Sequence, residues 1–154
     1  MMGHTHMAFG FLGGLLSYTV LAPAHPIMFV GIATLAALLP DVDHEGSRIN
    51  KMFPVTKWVA KLFKHRGFFH SMFPAAGLYF GFWYFGAEWI GSALALGYLT
   101  HLFSDSLTKM GVNLLHPIAT LRVQGFIQTG GMWEMATLGI VLAVSAVKLW
   151  GTFF

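Results

Sequence analysis

The sequence predicts an all-α polytopic membrane helix bundle, about five spans plus a basic interfacial amphipathic helix, in one domain over residues 1–154. Three observations predict it. Hydrophobic residues make up 56% of the chain and charged residues 10%, against about 25% charged in a soluble domain. Five apolar stretches are separated by turns rich in Pro, Gly or polar residues. Six of the nine Lys and Arg fall between Arg48 and Arg66, a bias that sets membrane orientation rather than a nucleic-acid surface.

The first apolar segment covers residues 7–21, with Gly10 and Gly14 at a small-xxx-small spacing that permits close helix packing. Its start lacks the Lys/Arg flank of a secretory signal, so Ala22-Pro23-Ala24 is read as a turn and not a cleavage site. Segment two covers residues 27–39 and stops at Pro40. Both are shorter than the roughly 20 residues of a comfortable span. From Pro54, the apolar spacing of Val55, Trp58, Val59, Leu62 and Phe63, with Lys57, Lys61 and Lys64 on another face, predicts a helix lying on an anionic membrane surface. Segment three follows His65–Ser71 and runs to residue 87, with Gly77 and Gly81 repeating the small-residue spacing. Residues 88–91 read as a turn, 92–107 as segment four, 109–128 as an irregular loop, and 131–150 as segment five.

Lys and Arg concentrate in cytoplasmic loops. The 48–66 loop then lies inside, the 88–91 turn outside and the 109–128 loop inside, which puts the N-terminus inside and the C-terminus outside. Lys148, near the outer end, runs against the rule. This assignment gathers the unusual polar residues at the inner ends of the spans: His6, Asp41, Asp43, His44, His65, His70, His101, Asp105 and Glu134.

With no cysteine, disulfides and thiolate metal sites are excluded, and any metal must use imidazole and carboxylate ligands. Eight histidines and six carboxylates supply them. His101 and Asp105, four apart, share a helix face and can bind one ion. Asp41 and His44, three apart, do the same if the second helix continues through them. His65 and His70, five apart, cannot share a face well and are placed in the loop and in the first turns of the helix. The metal ligands expected are Asp41, His44, His65, His70, His101 and Asp105, with His6 as a further candidate. That many ligands suits two or more divalent ions, zinc first, with manganese or iron as alternatives. A metal-bound water is a nucleophile near neutral pH, and a two-metal clamp suits phosphoester cleavage. Arg66 is positioned to pair with a phosphate, and Asp43 or Glu134 to act as general base.

Each residue alone has a plainer reading. A histidine on a membrane helix is commonly a packing residue, Asp41 and Asp43 fit a helix stop, Arg66 a topology anchor, and Glu134 a partner for a helix dipole. Their coincidence at one membrane face is what points to a joint site, since intramembrane ionisable residues are costly and default to function.

Several runs resemble the YdjM-like family of inner-membrane metal-dependent hydrolases: Thr5-His6-Met7-Ala8-Phe9-Gly10, Leu39-Pro40-Asp41-Val42-Asp43-His44, His65-Arg66-Gly67-Phe68-Phe69-His70-Ser71, Gly97-Tyr98-Leu99-Thr100-His101 with Asp105, and Thr129-Gly130-Gly131 with Glu134. Phe69 departs from the family, which commonly has Thr there. The pattern is also loosely similar to zinc-dependent phospholipase C. The resemblance implies a metal-dependent hydrolase of the inner membrane; the phospholipase likeness supports a phosphoester, such as a lipid headgroup, as substrate with membrane lipid as neighbour, and the clustering of Lys and Arg gives no expectation of a nucleic-acid partner. The alternatives are a metal ion transporter, with a site nearer the bilayer midplane, and a non-enzymatic membrane adaptor whose metal is structural.

Overall fold

A computed structural model describes residues 1–44, 46–53, 58 and 67–153. It is helical throughout its long segments: α1 (Gly3–Leu21), α2 (Pro26–Ala36), a short α3 (Arg48–Met52), α4 (Met72–Tyr84), α5 (Glu88–Ser106) and α6 (Met132–Phe153). Two 3-10 turns, Leu39–Asp43 and Phe68–His70, lead out of α2 and into α4. The 109–128 segment, expected to be irregular, carries a small antiparallel pair, β1 (Val112–Asn113) with β2 (Arg122–Val123).

The helix starts differ from the sequence expectation in ways that matter for the site. α1 begins at Gly3, so His6 lies inside the helix and not ahead of it. α5 begins at Glu88, with the turn at the preceding residues, where Gly86 has a positive φ of 74°. α2 ends at Ala36, and the chain tightens into the 3-10 turn around Pro40. Proline lacks an N–H for the ladder and clashes with the preceding turn, so the α-helix cannot run on through Asp41.

α5 is the central helix, packing against α1, α2 and α4, while α1 also meets α2 and α6. Small residues set these approaches. A Cβ on Gly10 would fall 2.7 Å from the Ala33 carbonyl oxygen, and one on Gly97 would fall 2.2 Å from the same oxygen. The Gly10 and Gly14 pair thus seats α1 on α2, and Gly97 brings α5 onto the same stretch. Gly77 and Gly81 do not act this way. A Cβ on either meets nothing within 4 Å, and both line an apolar cavity of about 750 Å³ with Leu39, Phe69 and Tyr98.

Among the described residues, two segments are long and apolar enough to cross a membrane, Pro26–Asp43 and Met132–Gly151, where about five spans were expected. α4 has 13 residues, about 20 Å at 1.5 Å per residue, short of the ~30 Å hydrocarbon core. α1 and α5 have 19 residues each, but both give up hydropathy to the polar residues near one end. Trp133, Ile140, Val147 and Trp150 on α6 are exposed, an outer face suited to lipid. Of the expected amphipathic helix, Trp58 is described and is exposed; Lys57, Lys61 and Lys64 lie outside the described residues.

Candidate metal centre

One end of the bundle collects the amino-terminal turn of α1, the 3-10 turn after α2, the 3-10 turn before α4, the last turns of α5 and the first turn of α6. Several polar side chains there are buried. His6, His70, His101, Asp105 and Glu134 are each at most 1% exposed. Burial of so many ionisable groups is stable only if they satisfy one another or a bound ion.

The hydrogen bonds fix the orientation of three imidazoles. His101 Nδ1–H donates to the Ala37 carbonyl oxygen at 2.8 Å. A carbonyl only accepts, so the proton is on Nδ1 and the neutral ring keeps its lone pair on Nε2. His70 Nδ1–H donates to Asp43 Oδ2 at 3.1 Å, which fixes the same tautomer. Ser104 spends its hydroxyl proton on the His101 carbonyl at 2.9 Å, so its oxygen accepts from His6 Nδ1–H at 2.7 Å. All three rings therefore turn Nδ1 to a protein partner and Nε2 inward, where a neutral ring offers its lone pair.

The inward atoms meet one another and two carboxylates. His70 Nε2 and His101 Nε2 are 3.4 Å apart. Asp41 Oδ1 lies 3.8 Å from each of them. Asp105 Oδ2 lies 3.9 Å from His70 Nε2 and 4.0 Å from His101 Nε2, and its Oδ1 lies 3.5 Å from His6 Nε2. His6 stacks on His101 with ring centroids 3.7 Å apart. Two imidazole lone pairs facing each other at hydrogen-bond distance repel unless a cation lies between them. Two groups of donors, His6–Asp41–His101 and His70–His101–Asp105, each bring their ligand atoms within 4.8 Å of one another. This nitrogen and oxygen set fits zinc, manganese or iron. The outward bonds from Asp43 and the Ala37 carbonyl are the support that metal-binding histidines use to hold tautomer and ring angle.

Not every expected residue joins. His44 is exposed and sits at the rim, because the chain leaves the 3-10 turn in an extended conformation there (φ −118°, ψ 110°). The i, i+3 pairing with Asp41 required a continuous α-helix, which Pro40 prevents. Asp43 takes the inward direction instead, under His70. Glu134 holds main chain: its Oε1 accepts from Met2 N–H and its Oε2 from Gly130 N–H, both at 2.6 Å. It anchors the amino terminus, whose α-ammonium pairs with Asp105 Oδ1. His65 and Arg66 lie outside the described residues.

Sequence reasoning missed three supports. Ser104 and the Ala37 carbonyl set ring orientation, and Asn50 Nδ2 donates to the carbonyls of Val42 and His44 at 3.0 and 2.8 Å, pinning α3 to the 3-10 turn that carries Asp41. Ser104 was detectable as the residue beside Asp105, three on from His101. The main-chain partners carry no sequence signal.

Fold and site together define a helical membrane protein with a buried imidazole–carboxylate centre at one end of its bundle. The chain belongs to the YdjM inner membrane protein family, whose family model matches residues 1–153, and this membership assigns it to the inner membrane. It is 33% identical over 151 residues to the uncharacterized protein YvsG of Bacillus subtilis, covering 93% of this chain and 91% of the relative. It is 38% identical over 93 residues to the inner membrane protein YdjM of Escherichia coli, covering 55% of this chain and 47% of that protein. No solved structure matches the chain.

Proposed function

We propose that the chain is a membrane-bound, metal-dependent hydrolase that cleaves a phosphoester at the cytoplasmic face, with the bundle multi-pass and its polar end toward the cytoplasm. The observation that carries this is the common orientation of His6, His70 and His101, whose Nε2 atoms converge on Asp41 and Asp105. His6, Asp41 and His101, and His70, His101 and Asp105, would hold a divalent ion each, zinc by preference, which when bound would lower the pKa of a water and polarise a phosphoryl group.

The chain's residues do the rest. Asp43 holds the His70 Nδ1 proton and raises the basicity of the opposite nitrogen. Asp105 supplies negative charge to all three rings, and the α1–α5 contact, through the His6–His101 stack, closes one side to water. Asp41 is the member with outward access: it also lines a polar cavity at the same end of the molecule. It thus joins the buried cluster to the opening through which a substrate arrives. Asp43 and Glu134, expected as general bases, are engaged in orienting His70 and in holding the amino-terminal main chain.

The test is a metal count on the purified protein beside His101→Ala and Asp105→Ala, with phospholipid and phosphodiester substrates offered to each. Bound metal and ester cleavage in the wild type, both lost in the variants, is the expected result. Full metal content in both variants overturns the site. Metal bound with no cleavage across the ester panel overturns the hydrolase and favours an adaptor with a structural metal, and metal transport without cleavage in proteoliposomes favours a transporter.

A further inference from the structure

The polar cavity beside Asp41 has a volume of about 690 Å³, and α3 forms one of its walls through Arg48 and Lys51. The other large cavities are lined mostly by apolar side chains and by no charged one. Arg48 and Lys51 are three apart on one short helix, so they present their charges on the same face. Both are exposed, and among the described residues neither makes an ion pair with a carboxylate. Arg48 reaches across the first turns of α1, with Nη1 3.7 Å from Met7 Sδ.

The placement of this cationic pair is fixed. Asn50, fully buried between them in sequence, ties α3 to the Val42 and His44 carbonyls on either side of Asp43. Ser47 caps the helix by accepting from Asn50 N–H at 3.3 Å. The element that supplies Asp41 to the histidine cluster is therefore bonded to the element that supplies the two cations. Gly3 and His4, in the first turn of α1, line the same cavity, and that turn contains no acidic residue.

The geometry points to a phosphate-binding site in this cavity, where Arg48 and Lys51 hold the anion beside the metal centre. The ligand class is a phosphate monoester or diester group, either a lipid headgroup or a soluble ester. The guanidinium supplies a planar fork for two phosphate oxygens, and the ammonium supplies a point charge to a third. Asp41 on its own repels such a group, and a divalent ion on the histidine cluster reverses that sign. The role of the site in positioning a scissile ester rests on the hydrolase reading; anion binding itself does not.

The experiment titrates inorganic phosphate into the zinc-loaded full chain in phosphatidylcholine nanodiscs by calorimetry, with zinc content measured on each sample. The variants are Arg48→Gln/Lys51→Gln and, as a control for net charge, Lys148→Gln at the far end of α6. The double variant is expected to bind phosphate at least about tenfold more weakly at unchanged zinc content, and the control to match the wild type. Glycerol phosphate and discs containing phosphatidic acid then compete with inorganic phosphate. Competition by the lipid assigns a headgroup ligand, and competition by glycerol phosphate alone assigns a soluble one. Equal phosphate affinity in the double variant and the wild type overturns the proposal, as does a zinc-loaded wild type that binds none of the three probes. Phosphate binding that depends on Arg48 and Lys51, without cleavage of any ester, leaves this site standing and removes the hydrolase.

Discussion

Asp43 separates orientation from coordination. Its Oδ2 accepts from His70 Nδ1, while the His70 Nε2 side faces Asp41 and Asp105. Asp43→Asn keeps the size and removes the charge that favours the Nδ1 proton. Metal affinity is then expected to fall by roughly 10- to 100-fold with the first ligands intact, read by competition with a chromophoric chelator. An unchanged affinity means that His70 needs no such support, and the tautomer argument fails with it. At this scale the residues of the buried imidazole–carboxylate cluster were legible in the sequence. His6, Asp41, His70, His101 and Asp105 stand out because ionisable side chains are costly in apolar segments. The i, i+3 spacing of Asp41 and His44 assumes an α-helix, whereas Pro40 turns the stretch into a 3-10 helix that puts Asp43 under His70 and leaves His44 exposed. The partners of the outward nitrogens were hidden for another reason: a main-chain carbonyl such as that of Ala37 is present at every position and marks none.

Among the helices, Gly97 and Gly77 differ in what faces them. Gly97 sits where α5 crosses α2, and a Cβ there falls 2.2 Å from the Ala33 carbonyl oxygen, a main-chain atom that cannot move aside alone. Gly97→Ala is expected to destabilise the protein by about 1–3 kcal/mol and to displace His101, one turn further along α5. Gly77 lies inside α4 with open space around its Cα. Gly77→Ala relieves the glycine entropy cost and is expected to be neutral or stabilising by roughly 0.5–1 kcal/mol. Thermal unfolding of the two variants in the same detergent checks both signs. If Gly77→Ala destabilises as much as Gly97→Ala, the assignment of close contact to Gly97 and not to Gly77 is wrong. The small-residue spacing itself cannot distinguish these cases. It says that two backbones can approach, whereas contact also needs a neighbour at that height, and α2 supplies one only to α1 and α5. The same limit applies to the spans: five apolar runs were legible, but their lengths as helices, 13 residues in α4 above all, were not.

The whole molecule has two unlike ends. One carries the histidine cluster, the polar cavity and the β1–β2 loop; the other carries the turns after α1 and before α5. Among the described residues, every Lys and Arg except Lys148 lies in a segment joined to the first end. The far turns, residues 22–25 and 85–87, contain none. Cationic segments close to apolar spans are retained on the cytoplasmic side during insertion, so the charge count and the site predict one orientation. The chain has no cysteine, which makes the prediction direct to test. Single cysteines placed at Leu121, exposed beside β2, and at Phe85, exposed in the far turn, report the two ends. A membrane-impermeant maleimide is expected to label Phe85→Cys in right-side-out vesicles and Leu121→Cys only in inverted ones. The reverse pattern would put the histidine cluster on the outer face, where Arg48 and Lys51 could not meet a cytoplasmic phosphate ester. Labelling of both positions from one side would mean that the helices between them do not cross the membrane. The orientation therefore decides which pool of esters the cavity can reach, and it does so independently of whether any ester is cleaved.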